Sequence, residues 1–161
     1  MKVIYCHHAM RDVKDKPTQN DGLTDIGVKD ANLVAEIFKI ASKKENLKAI
    51  YTSPFFRCTE TSKIINKHIN LPIINEDRFN EFGSIENESW TDLQNRMREA
   101  IKDIVFKYND DEAVICVTSG VNVVAFLSLV FKIEVSKDNP FIGVPSCSPL
   151  IFNITKDMFN D

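Results

Sequence analysis

Three places in this chain put side chains capable of proton or anion chemistry where a strand should be ending. The first is His7-His8, directly after the short apolar run Val3-Ile4-Tyr5. The second is Thr52-Ser53-Pro54 with Arg57 close behind, and the third is Thr118-Ser119-Gly120 after AVICVT. A neutral imidazole is a nucleophile and a base near neutral pH. An arginine in the first turn of a helix runs against the helix dipole and fits better if an anion is held there. Ligands of open α/β sheets bind beyond the carboxyl ends of the strands, so side chains delivered there are candidates for chemistry. A histidine pair at a strand end is also readable as a satisfied edge or a solvated turn, and MKVIYCHHAM by itself leaves both readings open.

The elements that would position these residues follow from periodicity and capping. After the first strand, the polar stretch from Met10 to Gly22 reads as an exposed loop. Thr24 sits where an N-cap belongs. Val28, Ala31, Val34, Ala35, Phe38 and Ala41 then recur at helical spacing up to about Lys43-Lys44. Leu47 to Thr52 is the second strand. Ser53 as N-cap with Pro54 at the first helical position predicts a helix running to about His68. Leu71 to Asn75 is a third strand, and Arg78 to Glu88 is an acidic loop. Ser89 with Asp92 approximates a capping box for a helix whose buried face is Leu93, Met97, Ala100, Ile101, Ile104 and Tyr108, with Trp90 packed at its entrance. Ala113 to Thr118 reads as a core strand covered on both faces, VNVVAFLSLVF as a buried helix, and Leu150 to Thr155 as the last strand. Strands alternating with helices imply α/β architecture, a mainly parallel sheet with helices on both faces.

With 161 residues, 43% hydrophobic and 27% charged, the chain is expected to form one domain spanning residues 1–161. A net charge of −3 supports neither a nucleic-acid partner nor an anionic-membrane surface, which leaves small molecules. Cys6, Cys58, Cys116 and Cys147 form no CxxC pair and read as free thiols in a reducing compartment. No apolar signal core opens the chain, and the run at 121–131 is too short for the roughly 20 residues a bilayer requires. A cytoplasmic location is the expectation. Cys6 and His8 share a strand face, but no further ligand follows at metal spacing, so no metal and no cofactor is expected.

VIYCHHA, LTDIG, YTSPFFRCTET, RFNEFG and VICVTSG, in that order, resemble the motifs of the histidine phosphatase superfamily, the phosphoglycerate mutase-like proteins. The match runs from residue 2 to about residue 125, and LIFNIT resembles the family's closing strand. YTSPFFRCTET is the most specific piece, and LTDIG is weak alone. The resemblance implies a three-layer α/β/α sandwich. It also implies that His8 is the histidine that becomes phosphorylated, that Arg57 clamps the phosphate, and that Glu81 protonates the leaving oxygen and later activates water. Glu81 is equally readable as a solvated loop acid.

Two positions depart from that pattern. His7 stands where the family has the arginine of R-H-G, and Ser119 stands where it has its second catalytic histidine. Ala9 for glycine is a smaller change. The expected phosphate pocket is therefore His7, Arg57 and Ser119, with Arg57 its one permanent cation. A protonated His7 would improve turnover at acid pH, and Ser119 can donate one hydrogen bond. Two readings stay open here. One is a divergent phosphomonoesterase acting on a small phosphorylated molecule through phospho-His8. The other is an impaired relative that binds phosphate, a phosphorylated ligand or a protein without turnover. A mutase is disfavoured because the chain is short, without insertions to shield a phosphohistidine from water. Neither substrate nor oligomeric state is legible.

Overall fold

The computed structural model of the chain describes residues 1–12, 18–135 and 143–160. Five strands, β1 (Lys2–His7), β2 (Asn46–Thr52), β3 (Ile73–Asn75), β4 (Glu112–Thr118) and β5 (Pro149–Asn153), form one sheet in the order β3-β2-β4-β1-β5. The first four run parallel, and β5 is antiparallel to β1 at the edge. Helices α1 (Asp25–Ala41) and α2 (Phe56–Asn66) cover one face, and α3 (Trp90–Lys107) and α4 (Gly120–Val130) cover the other. The three-layer α/β/α architecture with a mainly parallel sheet is the one expected.

Strand alternation explains why AVICVT is apolar throughout. Val114 and Cys116 pack toward α3 and α4 with Leu93, Met97, Ile101 and Phe126, whereas Ile115 and Val117 pack toward α1 and α2 with Phe38, Ile64 and Ile65. Each fully buried aliphatic side chain there contributes about 1.5–3 kcal/mol. All four cysteines are buried free thiols, Cys147 included, and burial pushes the Cys58 thiol up to about 12.

The caps follow the sequence in two helices and depart from it in a third. Thr24 accepts from the Gly27 amide, and Ser89 and Asp92 form the full capping box. Ser53 does not cap α2. That helix begins at Phe56 with Phe55 ahead of it, because the Ser53 hydroxyl accepts from the Phe55 amide and donates to Asn80 Oδ1. Arg57 is nonetheless in the first turn. The third strand is shorter than expected, Ile73–Asn75. The Lys132 to Pro149 connection lies partly outside the described residues, at 136–142, as does part of the Met10 to Gly22 loop, at 13–17. No described helix is long and apolar enough to cross a membrane.

Because β1, β2 and β4 run parallel, their carboxyl ends, His7, Thr52 and Thr118, meet at one end of the sheet. The His8 amide donates to Thr118 O at 3.0 Å and the Ser53 amide to Val117 O at 3.0 Å, carrying the ladders one residue past the strands. All three sequence motifs are thereby brought to one end of the sheet.

Candidate active site

His8 is mounted by its neighbours on both sides. The Ala9 amide donates to Thr61 Oγ1 at 3.0 Å, and Thr61 Oγ1 donates to Arg57 O at 2.7 Å, so one α2 threonine ties the segment after β1 to the turn that carries Arg57. The next residues are held against α1. Met10 O accepts from the Thr24 amide at 3.0 Å and lies where a Cβ on Gly27 would stand 2.1 Å away. Gly27 therefore has to be glycine for the close approach of these backbones. That gives LTDIG a physical role: Thr24 caps the helix and Gly27 lets Met10 dock.

His8 Nδ1 lies 2.8 Å from Ala9 O. A carbonyl only accepts, so Nδ1 carries the hydrogen and Nε2 presents its lone pair. Arg57 Nε donates to that Nε2 at 3.2 Å. The rest of the guanidinium is occupied, Nη1 donating to Thr18 O at 3.1 Å and Nη2 to Glu81, while the Phe55 ring lies 4.8 Å from its central carbon. Arg57 is 1% exposed, and the Glu81 side chain is 33% exposed. The structure thus brings His8, Arg57 and Glu81 into one hydrogen-bonded chain. The carboxylate meets the guanidinium through one N–H and one oxygen, and a planar guanidinium can present two N–H groups to an anion once its present partners yield.

Glu81 owes its place to buried polar anchors that the sequence reading missed. Asn122 Nδ2 donates to Phe79 O at 2.9 Å and Asn80 O at 2.8 Å, and Thr118 Oγ1 donates to Phe79 O at 2.7 Å. Arg96, ion-paired to Glu88, donates to Asn80 O from α3. The available signal was Asn122 itself, a lone amide near the start of an apolar helix, where a buried polar group needs partners.

His7 and Ser119 lie on the other side of His8. As alternation requires, the His7 side chain turns toward α4. Its ring stands edge-on to His8 with centroids 4.5 Å apart, and Nδ1 donates to Val144 O at 2.7 Å. A Cβ on Gly120 would meet this ring at 3.2 Å, so glycine opens the slot that it fills. Ser119 Oγ is buried with no hydrogen-bond partner among the described residues.

Burial, outweighing the Val144 and Pro145 carbonyls, lowers the proton affinity of His7, which makes a cationic His7 harder to reach than its ordinary value implies. Burial first, then the charge of a protonated His7, lowers His8 to about 3. The folded state therefore binds fewer protons than the unfolded chain below the ordinary histidine value of 6.5. Stability from a neutral His8 is complete above that value and is lost as pH falls toward 3. Between pH 7 and pH 5 the loss should be about 2 kcal/mol. Urea unfolding at the two pH values should show a smaller drop for His8→Asn than for wild type, and equal drops would contradict the assignment.

A cavity of about 450 Å³ opens in front of Arg57 and Glu81, lined also by Arg11, Thr18, Gln19, Phe55, Phe82, Gly83 and Ser84. Arg57 is therefore not the one permanent cation here, since Arg11 faces the same space. Nor is the Met10 to Gly22 stretch merely an exposed loop, because Asp21 is 3% exposed and accepts from Arg11 Nη1 at 3.2 Å and from the Thr18 amide at 2.7 Å. Among the described residues no group of three or more His, Cys, Asp or Glu side chains could hold a metal ion.

The fold is that of the phosphoglycerate mutase-like α/β proteins. YhfR of Bacillus stearothermophilus superposes with a TM-score of 0.78 at 20% identity, over 93% of this chain and 89% of that one. A protein histidine phosphatase, SixA, in complex with tungstate gives 0.72 at 13% identity, over 98% and 91%. A mycobacterial glucosyl-3-phosphoglycerate phosphatase gives 0.73 at 15%, over 93% and 88%. No curated protein matches the chain by sequence. The family model of the histidine phosphatase superfamily (branch 1) matches residues 10–88, a span that includes Arg57 and Glu81 and begins just past His8. Over that span the chain carries the sequence pattern of the histidine phosphatase superfamily.

Proposed function

We propose that the chain, as one domain over residues 1–161 and in the cytoplasm, is a divergent phosphomonoesterase for a small phosphorylated molecule. The observation that carries this reading is the state of His8: neutral, fixed by Ala9 O through Nδ1, with Nε2 directed at the Arg57 guanidinium. When the Arg57 Nε–H that donates to Nε2 turns to a phosphoryl oxygen, the imidazole lone pair is left to face phosphorus.

The reaction follows in two displacements. His8 Nε2 attacks phosphorus in line, the N–P bond forms, and the P–O ester bond breaks. Glu81, in its protonated form, gives its proton to the departing oxygen. The phosphoryl group takes the Arg57 N–H groups from Glu81, which frees the carboxyl group from its ion pair. Water then attacks phosphorus, Glu81 removes its proton, the N–P bond breaks, and phosphate leaves with His8 neutral again. His7 flanks the His8 ring, and neither it nor Ser119 lines the cavity of about 450 Å³, although the Ser119 hydroxyl has a donor to give. Tungstate in one structural neighbour and inorganic phosphate in another are bound by proteins of this fold.

A second reading rests on the same departures: His7 is disposed to be neutral and Ser119 carries no imidazole, so the pocket binds a phosphorylated ligand or partner without turning it over. Hydrolysis of a generic aryl phosphate separates the two. Turnover in wild type that falls to background in His8→Ala is the expected result. Background rates in both proteins would dispose of the enzyme.

A further inference from the structure

Helix α1 carries apolar side chains on two opposite sides. One side, Ala31, Val34, Ala35 and Phe38, packs into the core beneath the sheet. The other, Ile26, Leu33, Ile37 and Ile40, is 52–68% exposed. With 3.6 residues per turn these side chains fall within roughly 60° of one another, in a straight stripe about 21 Å long that runs nearly the whole helix. A contiguous row of large apolar side chains on a surface helix marks an interaction site. We propose that this stripe is the interface of a twofold dimer, in which α1 packs antiparallel against α1 of a second copy of this chain. The proposal is independent of the reading of the cleft as a phosphoryl site.

The occupant follows from the symmetry of the stripe and from the charges beside it. Ile26 and Ile40 stand at equal distances along the helix from Leu33, so a twofold axis at Leu33 sets Leu33 on Leu33 and Ile26 on Ile40. Lys29 and Glu36 lie two turns apart on one flank of the stripe, and the same axis falls between them. Antiparallel pairing then places Lys29 of each copy beside Glu36 of the other. Parallel pairing would oppose Lys29 to Lys29 and Glu36 to Glu36.

Glu36 is held on this flank by Lys39 at 3.2 Å and His68 at 3.5 Å, and its side chain is 53% exposed. Antiparallel pairing also brings Asp25 in the first turn toward the exposed Lys43 and Lys44 just past the last, and it sets the helix dipoles head to tail. Ile26 adjoins Gly27, on which Met10 docks, so the interface braces the helix end that holds the segment after His8.

Sedimentation velocity of the full chain from about 1 to 300 µM tests the assignment. Wild type should pass from monomer to dimer within that range. Leu33→Glu puts two like charges on the axis and should weaken dimerisation about 100-fold or more, with little change in Tm because position 33 is exposed. Lys29→Glu should weaken it about 3- to 10-fold, and adding Glu36→Lys should restore it. Under mild oxidation Leu33→Cys should cross-link to itself and Ile26→Cys should not, whereas Ile26→Cys mixed with Ile40→Cys should. A chain that stays monomeric throughout would overturn the proposal, as would a dimer that Leu33→Glu leaves intact or that Ile26→Cys cross-links to itself. A monomer that binds phosphatidylcholine and phosphatidylglycerol vesicles through Leu33 would overturn it too, and would assign the stripe to a lipid surface.

Discussion

The double variant His7→Arg with Ser119→His is expected to hydrolyse aryl phosphates about 10²–10⁴ times faster than wild type. One preorganised donor to a phosphoryl transition state accounts for about 10²–10³ in rate, and two coupled donors give less than the product of both. The two changes have to be made together. Ser119 is 2% exposed, so an imidazole placed there alone has to displace its neighbours. Replacing His7 withdraws its ring and the hydrogen bond to Val144 O. Ser119→His alone should therefore show a small gain and a lowered Tm. Steady-state kinetics on both single variants and the pair check this, and a pair no faster than wild type would mean that the two departures do not limit the rate.

Arg57→Ala is expected to cost about 10²–10³ in kcat/KM, with Arg57→Lys recovering only part. The guanidinium reaches His8 Nε2, Thr18 O and Glu81 at once, and a lysine ammonium has no planar fork with which to do so. Thr18 and Glu81 would lose their common anchor, so a Tm decrease should accompany the kinetic loss. Unchanged kcat/KM in Arg57→Ala would remove the clamp from the account.

The sheet and its covering helices were legible because their signals are local and repeat. AVICVT is apolar at every position, the Ser89 and Asp92 pair reads as a cap, and Thr24 precedes a clean helical stripe. The antiparallel direction of β5 was not legible, since LIFNIT carries no mark of which way it runs and its direction depends on the path of residues 132–149. Ser53-Pro54 misled because a hydroxyl can serve a turn amide and a distant side chain as readily as a helix end, and it does so with Phe55 and Asn80.

At the candidate site, the resemblance led to the expectation that His8, Arg57, Glu81 and Ser119 converge on one cavity; the first three are linked by hydrogen bonds, while the cavity is lined by Arg57 and Glu81 without His8 or Ser119. Arg11 and Asp21 were hidden in a polar stretch whose composition signals a loop. A buried ion pair depends on tertiary placement, and the hydropathy of residues 10–22 contains no trace of it. Asn122 and Arg96 were overlooked for a related reason, because their partners are backbone carbonyls of a loop more than a dozen residues away.

The central claim is that His8 Nε2 takes the phosphoryl group. Mixing the protein with an aryl phosphate, quenching at alkaline pH where phosphohistidine survives, and examining it by intact mass and ³¹P NMR tests this most directly. The account predicts one acid-labile phosphoryl group per chain on a nitrogen of His8, absent from His8→Asn. Steady turnover in wild type with no such adduct, or the same adduct in His8→Asn, would contradict it.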